Sequence, residues 1–233
     1  LVYLLLTSGG RLTERPGLGT GFAAVLERLG RQDFGVRAAV AARMATASGL
    51  FLQIGANDAA GADDRNYRAV LSASGWRKVL VEPVPAAVAA LRRNTAGLPD
   101  VTIVDAAVSD ATGSRMIMES PDSRLSTLDA RLAATARAGA RGRQTRIRCV
   151  DGAALFAEAG IDRVDVLVID TEGHDRVVLE QVLAHATPGA VVLEFGHLSA
   201  GDQTAVIDLL EVRGYTWCWA PLSLDLYAVI AQP

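Results

Sequence analysis

The sequence predicts an α/β fold. It should form a doubly wound, mostly parallel seven-stranded sheet with helices on both faces, an antiparallel hairpin at the C-terminal edge and a helical extension at the N-terminus. Three observations predict it. Short apolar runs recur along the chain with few polar interruptions, as strands covered on both faces do. Helix-period segments separate them, and a strand–helix–strand rhythm links parallel neighbours. The last two runs are joined by a turn alone, which only antiparallel strands allow.

Residues 20–48 read as helical, because Phe22, Val25, Leu26 and Leu29 recur at three-to-four spacing before Gly30, and Val36–Ala47 repeats the pattern. The pattern changes at Gly49, which divides a helical extension or cap over 1–48 from a Rossmann-like α/β domain over 49–233. Leu50–Ile54 is the first strand, and a helix over Asp64–Ser74 stops at Gly75. Val79–Val81 is the second, and Pro85–Asn94 is a helix with proline at its first position. Val101–Val104 is the third. The rhythm then breaks. Arg115–Glu119, opened by Gly113, reads as a strand paired with Arg146–Val150, and Ser120–Gln144 between them is too long for an ordinary connection. The whole interruption, 111–146, reads as an inserted loop or lid. Val166–Ile169 is followed by a helix over His174–His185, and Ala190–Phe195 by one over Gln203–Arg213 ending at Gly214. Tyr215–Trp219 and Leu226–Ala231 form the terminal hairpin about Pro221–Asp225.

Half of the 233 residues are hydrophobic and 21% are charged, which supplies a sizeable core and excludes general disorder. The net charge of −3, from 23 basic and 26 acidic residues, argues against a general nucleic-acid binder. No apolar run approaches the ~20 residues of a spanning helix, so no membrane partner is expected. Leu1–Leu6 lacks the basic flank of a signal peptide. Cys149 and Cys218 form neither a CxxC pair nor a disulfide framework, so both are expected reduced, in a cytoplasmic protein. Lys78 is the only lysine against 22 arginines, a bias that points to GC-rich, bacterial coding. Three histidines exclude a His-rich metal site. Residues 120–150 hold seven arginines and two aspartates, a local +5 that suits an anionic ligand or a solvated Arg/Ala helix.

Ligands of doubly wound sheets lie beyond the carboxyl ends of the strands. The first strand runs into Gly55-Ala56-Asn57-Asp58-Ala59-Ala60-Gly61, small residues that let a ligand approach the backbone or simply let strand and helix pack. The second ends at Glu82-Pro83. A carboxylate there suits a ribose diol, and Glu82 follows Gly61 by 21 residues, near the ~20 of dinucleotide folds. Pro83 favours an extended Glu82. The third ends at Asp105-Ala106, placed to edge an adenine ring. The fourth ends at Asp170-Thr171-Glu172-Gly173-His174-Asp175, four ionisable groups in six residues. A helix start accounts for Asp175 through the dipole, but not for Asp170 directly after a buried run. The glycine turn and the spacing to Glu82 also motivate a nicotinamide-dependent oxidoreductase. Against it, the chain has neither GxGxxG nor Tyr-x-x-x-Lys.

The stretches FLQIGANDAAG, VLVEPVPAAVAALRRN, AAVSDATG, LSTLD, VLVIDTEGHDRVVL, VVLEF and a late GY fall in order across residues 50–215. Together they resemble the FkbM family of S-adenosylmethionine (SAM)-dependent methyltransferases, within the Class I Rossmann-like methyltransferase fold. Two departures stand out: Ala59 replaces a glycine usual in the family, and residues 120–144 match nothing in it. The resemblance implies that Gly55, Ala56 and Asn57 hold the methionine part of SAM, Glu82 with Pro83 the ribose, and Asp105 and Ala106 the adenine. Asp170 would sit beside the methyl group. The implied acceptor is a hydroxyl of a small molecule, a sugar or a polyketide-like compound, anionic if the basic segment meets it. A SAM-binding protein without catalysis is a further alternative.

Transfer from a sulfonium to an oxyanion cancels charge, so alignment matters more than charge stabilisation, and a proton must leave the acceptor. His174 is the first candidate base, since imidazole titrates near neutrality. Asp170 and Glu172 as carboxylate ligands of Mg²⁺ rank second. A strand-end carboxylate adds little to a core, so Glu82 is expected to matter for SAM and not for folding. Residues 20–48 would either cover the SAM site or join two copies as a homodimer.

Overall fold

Runs rich in β-branched residues and leucine become strands because stiff side chains suit a pleated surface covered from both sides. The computed structural model describes residues 34–60, 67–120, 126–128, 142–220 and 224–230. The chain runs α1 (Phe34–Met44), β1 (Gly49–Ile54), α2 (Arg68–Ser72), β2 (Trp76–Glu82), α3 (Pro85–Thr95), β3 (Val101–Asp105), β4 (Ala107–Val108), β5 (Gly113–Glu119) and β6 (Arg143–Val150). It continues with α4 (Gly152–Ala159), β7 (Val166–Ile169), α5 (Asp175–Leu183), β8 (Ala190–Glu194), α6 (Ala200–Val212), β9 (Tyr215–Ala220) and β10 (Asp225–Ile230).

The main sheet has the order β3-β2-β1-β7-β8-β10-β9. Its first five strands are parallel, and β10 is antiparallel to both β8 and β9. The expected seven-stranded sheet with an antiparallel edge is therefore present, and the last strand inserts inside the one before it. Strand order reverses between β1 and β7, which opens a crevice at their carboxyl ends.

Alternate residues of the central strands feed two cores, one on each face. Leu50, Leu52 and Ile54 of β1 pack with Leu155 of α4, Val178 and Leu179 of α5 and Val206 and Ile207 of α6. Phe51 faces the other way, with Val40 of α1, Val70 of α2 and Leu91 of α3. Helix α1 lies on the sheet, where the Arg43 guanidinium donates to the Ile230 carbonyl at 3.4 Å. Lys78 is buried and its ammonium donates to the carbonyls of Ala73 and Pro99, at 2.7 and 2.6 Å. Both cysteines are buried and neither is in a disulfide. No described helix is long and apolar enough to cross a membrane.

Several elements differ from expectation. Helix α4 was not expected. It is short, yet its ends are marked: Asp151 Oδ1 accepts from the Ala154 amide at 2.9 Å, and Gly160 closes it in the left-handed region at φ 59°. Helix α2 occupies only part of the span expected from Asp64, and residues 61–66 lie outside those described. So do residues 1–33, with the expected helical turns over Phe22–Leu29, while the expected Val36–Ala47 stretch is largely present as α1. The strands expected at the ends of the insertion do pair, antiparallel from Gly113 opposite Cys149 to Glu119 opposite Arg143. With β4 beside β6 they make a second, three-stranded sheet. The expected boundary 111 thus falls just before this hairpin and 146 within it, and of the segment between its strands only residues 120, 126–128 and 142 are described.

Candidate functional site

The register of the sheet builds the site. Val104, Val81, Ile54, Ile169 and Leu193 stand side by side across five strands. Each is the last apolar residue of its strand, so the next residues form a rim: Asp105, Glu82, Gly55, Asp170 and Glu194. Asp225, opposite Glu194, extends the row onto β10. Every member is a carboxylate except the glycine at the reversal. Sequence reasoning found four of these residues and missed Glu194, although the rule that ligands lie at strand ends applies to it equally.

Gly55 sits where the backbones of β1 and β7 diverge. Its φ is +85°, and a Cβ there would lie 1.7 Å from the Asp170 carbonyl oxygen. The Gly55 and Ala56 amides both donate to the Val81 carbonyl, at 2.9 and 3.0 Å, and turn the chain over β2. Two more residues of this loop take the left-handed region, Asn57 at φ 44° and Ala59 at φ 54°. Ala59 is the position where the resembling family carries glycine, and a methyl group in this conformation costs ~1–2 kcal/mol.

Glu82 ties the loop down. It is only 6% exposed. Its Oε2 accepts from the Asn57 amide at 2.9 Å and its Oε1 from the Val84 amide at 2.8 Å. Burial pushes its carboxyl up to about 7; the two amides oppose the shift and neighbouring Asp105 adds to it. The expectation that Glu82 is dispensable for folding is corrected here: its removal would strand two backbone donors, at ~1–3 kcal/mol each if buried. Pro83 behind it is half-buried, Asp105 is exposed and Ala106 is buried.

Asp170 keeps an exposed surface although protein crowds around it. That enclosure, followed by Glu194, Asp175, Glu172 and Asp225, raises its carboxyl well above the usual range. Asp175 shapes the turn beyond it. It is fully buried, and its carboxylate accepts from the amides of Thr171 and Gly173, both at 3.0 Å. The turn needs this support because Glu172 and Gly173 have φ of 50° and 96°. Burial and then Glu194 push Asp175 up to about 7 against its amide bonds.

His174 precedes α5, and its Nε2 lies 3.1 Å from Ser109 Oγ. The Ser109 hydroxyl donates to Asp110 at 3.0 Å, so the network assigns the proton of a neutral ring to Nε2. Beside it, Thr127 Oγ1 donates to the Glu172 carbonyl at 2.6 Å, which fastens residues 126–128 of the expected lid to this turn. A second histidine, not singled out from the sequence, faces the same turn. His197 Nδ1 lies 3.4 Å from Glu172 Oε2 and 2.9 Å from Glu194 Oε1. Glu172 and then Glu194 raise its ring to about 10, so it is an imidazolium at neutral pH. No local spacing marks His197; only the fold brings it to Glu172.

The arginines of the insertion divide. Arg143 pairs with Glu119 at 2.9 Å, Arg148 grips Glu158 through two 2.8 Å contacts, and Arg146 donates to Ser114 at 3.2 Å. Arg124, Arg131, Arg137 and Arg141, on which an anionic ligand would depend, lie outside the described residues.

Comparison with known proteins places this geometry in a family. The profile of the methyltransferase FkbM domain matches residues 53–216. Among solved structures, an FkbM methyltransferase from Methylobacillus flagellatus KT is 14% identical with a TM-score of 0.49, over 78% of this chain and 44% of that one. This chain therefore spans under half of that protein's length. An O-methyltransferase from Bacillus cereus in complex with S-adenosylhomocysteine (SAH) is 12% identical with a TM-score of 0.47, covering 98% and 96% of the two chains. The O-methyltransferase TomG from Streptomyces achromogenes, involved in tomaymycin synthesis and solved with SAM, is 11% identical with a TM-score of 0.46, covering 99% and 95%. No curated protein matches the sequence.

Two predictions follow from the loop and its carboxylates. The folded pKa of Glu82, about 7, lies above its ordinary 4.5, so folding favours the protonated form. Its contribution to stability is fully present below about pH 4.5 and is lost as pH rises through about 7. A shift of this size is worth ~3 kcal/mol. Denaturant titrations from pH 5 to 8 should show wild-type stability falling more steeply than that of Glu82→Gln, by up to ~3 kcal/mol. Parallel curves would mean that Glu82 is ionised throughout in the fold. Separately, Ala59→Gly should raise stability by ~0.5–1 kcal/mol, since relief of the left-handed strain outweighs the added freedom of the unfolded chain. A loss of stability would show that the alanine methyl is held by favourable packing.

Proposed function

The chain belongs to the FkbM methyltransferase domain family, and we propose that it is a SAM-dependent O-methyltransferase acting on a hydroxyl of a small molecule. The observation that carries this reading is the rim at the reversal, where residues expected to meet each part of SAM stand in one row of the sheet. When bound, SAM supplies a methyl group activated on a sulfonium. The residues suit such a group. Each Glu82 oxygen accepts one amide and has capacity for one hydroxyl, which matches a ribose diol. Gly55, Ala56 and Asn57 offer the methionine part a backbone without bulk, with Pro83 beside the ribose. Asp105 and Ala106 flank the adenine, and Asp170 lines the recess next to the reacting atoms.

The acceptor hydroxyl is a sugar or polyketide-like oxygen, and His174, its ring oriented by Ser109, takes the proton. Asp110 and Ser109 hold the ring in that orientation. Membership of a methyltransferase family sets the nicotinamide reading aside.

Cofactor identity is tested by thermal unfolding. SAM or SAH at 100 times its Kd should stabilise the fold by ~2.7 kcal/mol, and NAD should leave it unchanged. Stabilisation by NAD alone would reverse the assignment. The proton acceptor is tested once a hydroxyl substrate is found by screening. His174→Ala should lower kcat by ~10²–10⁴ with SAM affinity retained. An unchanged kcat would remove His174 from that role, and SAM binding without turnover of any hydroxyl would favour a non-catalytic protein.

A further inference from the structure

We infer that Glu172, Glu194 and His197 form a binding site for one divalent first-row transition-metal ion. The three come from two strand ends that the sheet brings together: Glu172 from the turn after β7, Glu194 as the last residue of β8, and His197 three residues on. One ligand atom of each lies within 4.8 Å of the other two. His197 Nδ1 is 2.9 Å from Glu194 Oε1 and 3.4 Å from Glu172 Oε2. Oxygen and nitrogen ligands held ~2.0–2.2 Å from one ion at right or tetrahedral angles stand roughly 2.8–3.6 Å apart, so both spacings suit neighbouring ligands of a single ion.

The backbone that carries these groups is fixed from several sides. The Glu172 carbonyl accepts from Thr127, and the amides flanking Glu172 donate to Asp175. The Phe195 and Gly196 amides, between the other two ligands, both donate to the Leu224 carbonyl at 2.8 and 2.9 Å. A second feature points to a ligand. Glu194 Oε2 is shut from water and accepts no hydrogen bond among the described residues, which a carboxylate oxygen tolerates poorly unless a cation meets it. The surroundings are also one-signed. Asp170 interacts with Glu194 and Glu172, Asp175 interacts with Glu194, and Asp225 stands opposite Glu194 in the sheet, while the described ion pairs of Glu172 and Glu194 are all with His197.

Two carboxylate oxygens and one imidazole nitrogen favour Mn²⁺, Fe²⁺ or Zn²⁺ over Mg²⁺, which prefers oxygen alone. Three protein ligands leave at least one position of the ion for water or another oxygen. Resting on the transferase reading, that position is for the acceptor hydroxyl, whose proton such an ion makes easier to remove.

The test needs neither substrate nor turnover. The chain is stripped with a chelator, freed of it and titrated calorimetrically with Mn²⁺, Zn²⁺ and Mg²⁺, with Co²⁺ absorption reporting coordination. One Mn²⁺ or Zn²⁺ should bind per chain, and Mg²⁺ should bind more weakly. His197→Ala and Glu194→Gln, each checked for folding by its melting curve, should weaken binding at least ~10-fold, the low end of the cost of losing even an outer partner of a metal site. Glu172→Gln, in the turn, is the third variant should either of those unfold. Absence of stoichiometric binding, or binding that survives these changes, would overturn the site and leave a protonated His197 as the tenant. Mg²⁺ binding as tightly as Zn²⁺ would overturn the transition-metal assignment. Parallel titration with SAH separates the two readings: SAH binding without metal binding removes the site alone, and metal binding without SAH binding removes the cofactor assignment alone.

Discussion

A Cβ on Gly55 would stand 1.7 Å from the Asp170 carbonyl, a distance no side chain can share with a backbone oxygen. Strands β1 and β7 are neighbours in the sheet, and the Asp170 amide still donates to the Ile54 carbonyl at 2.9 Å, so the two backbones stay in contact up to the point where they part. Only a residue without a side chain passes through that gap. Once it does, the loop can fold back over β2, place the Asn57 amide on Glu82 and leave a recess between the two strand ends. The left-handed residues at 57 and 59 are the consequence of that tight return, and backbone strain of this kind needs surrounding support to persist.

The rim this contact organises concentrates negative charge. Ordinary sheet ends do not gather five carboxylates in one row, because burial and mutual repulsion both disfavour the charged forms. The protein offsets the cost with backbone dipoles. Two amides serve Glu82 and two serve Asp175, and in each case the carboxylate in turn fixes a loop in a conformation it would not otherwise hold. A recess lined this way favours cations, which accords with a sulfonium cofactor, with the imidazolium of His197 and with a metal ion competing for the same ligands.

The second sheet reaches the turn after β7 through Ser109, which follows β4 and meets His174, and through Thr127 beside β5. Thr127 bridges back to Met118, with 3.1 Å bonds in both directions, and its hydroxyl holds the Glu172 carbonyl. The insertion is therefore anchored through Thr127 at the turn that carries Glu172 and His174.

Much of the architecture was legible from local pattern, because apolar runs, glycine stops and the proline at position 85 act within a few residues of where they stand. The strand ends at Gly55, Glu82, Asp105 and Asp170 were legible for the same reason, since each follows a buried run. Helix α4 was overlooked because its eight residues carry too little periodicity, although Asp151 and Gly160 mark its ends. What the sequence could not express is distance between strands. The bond from the Asn57 amide to Glu82, the pairing of His174 with Ser109 and the meeting of Glu172, Glu194 and His197 all depend on register across the sheet. Register is decided by which buried faces must coincide, a constraint that no single segment contains. Local chemistry determined which residues end each strand, and only the assembled sheet decided which of them touch.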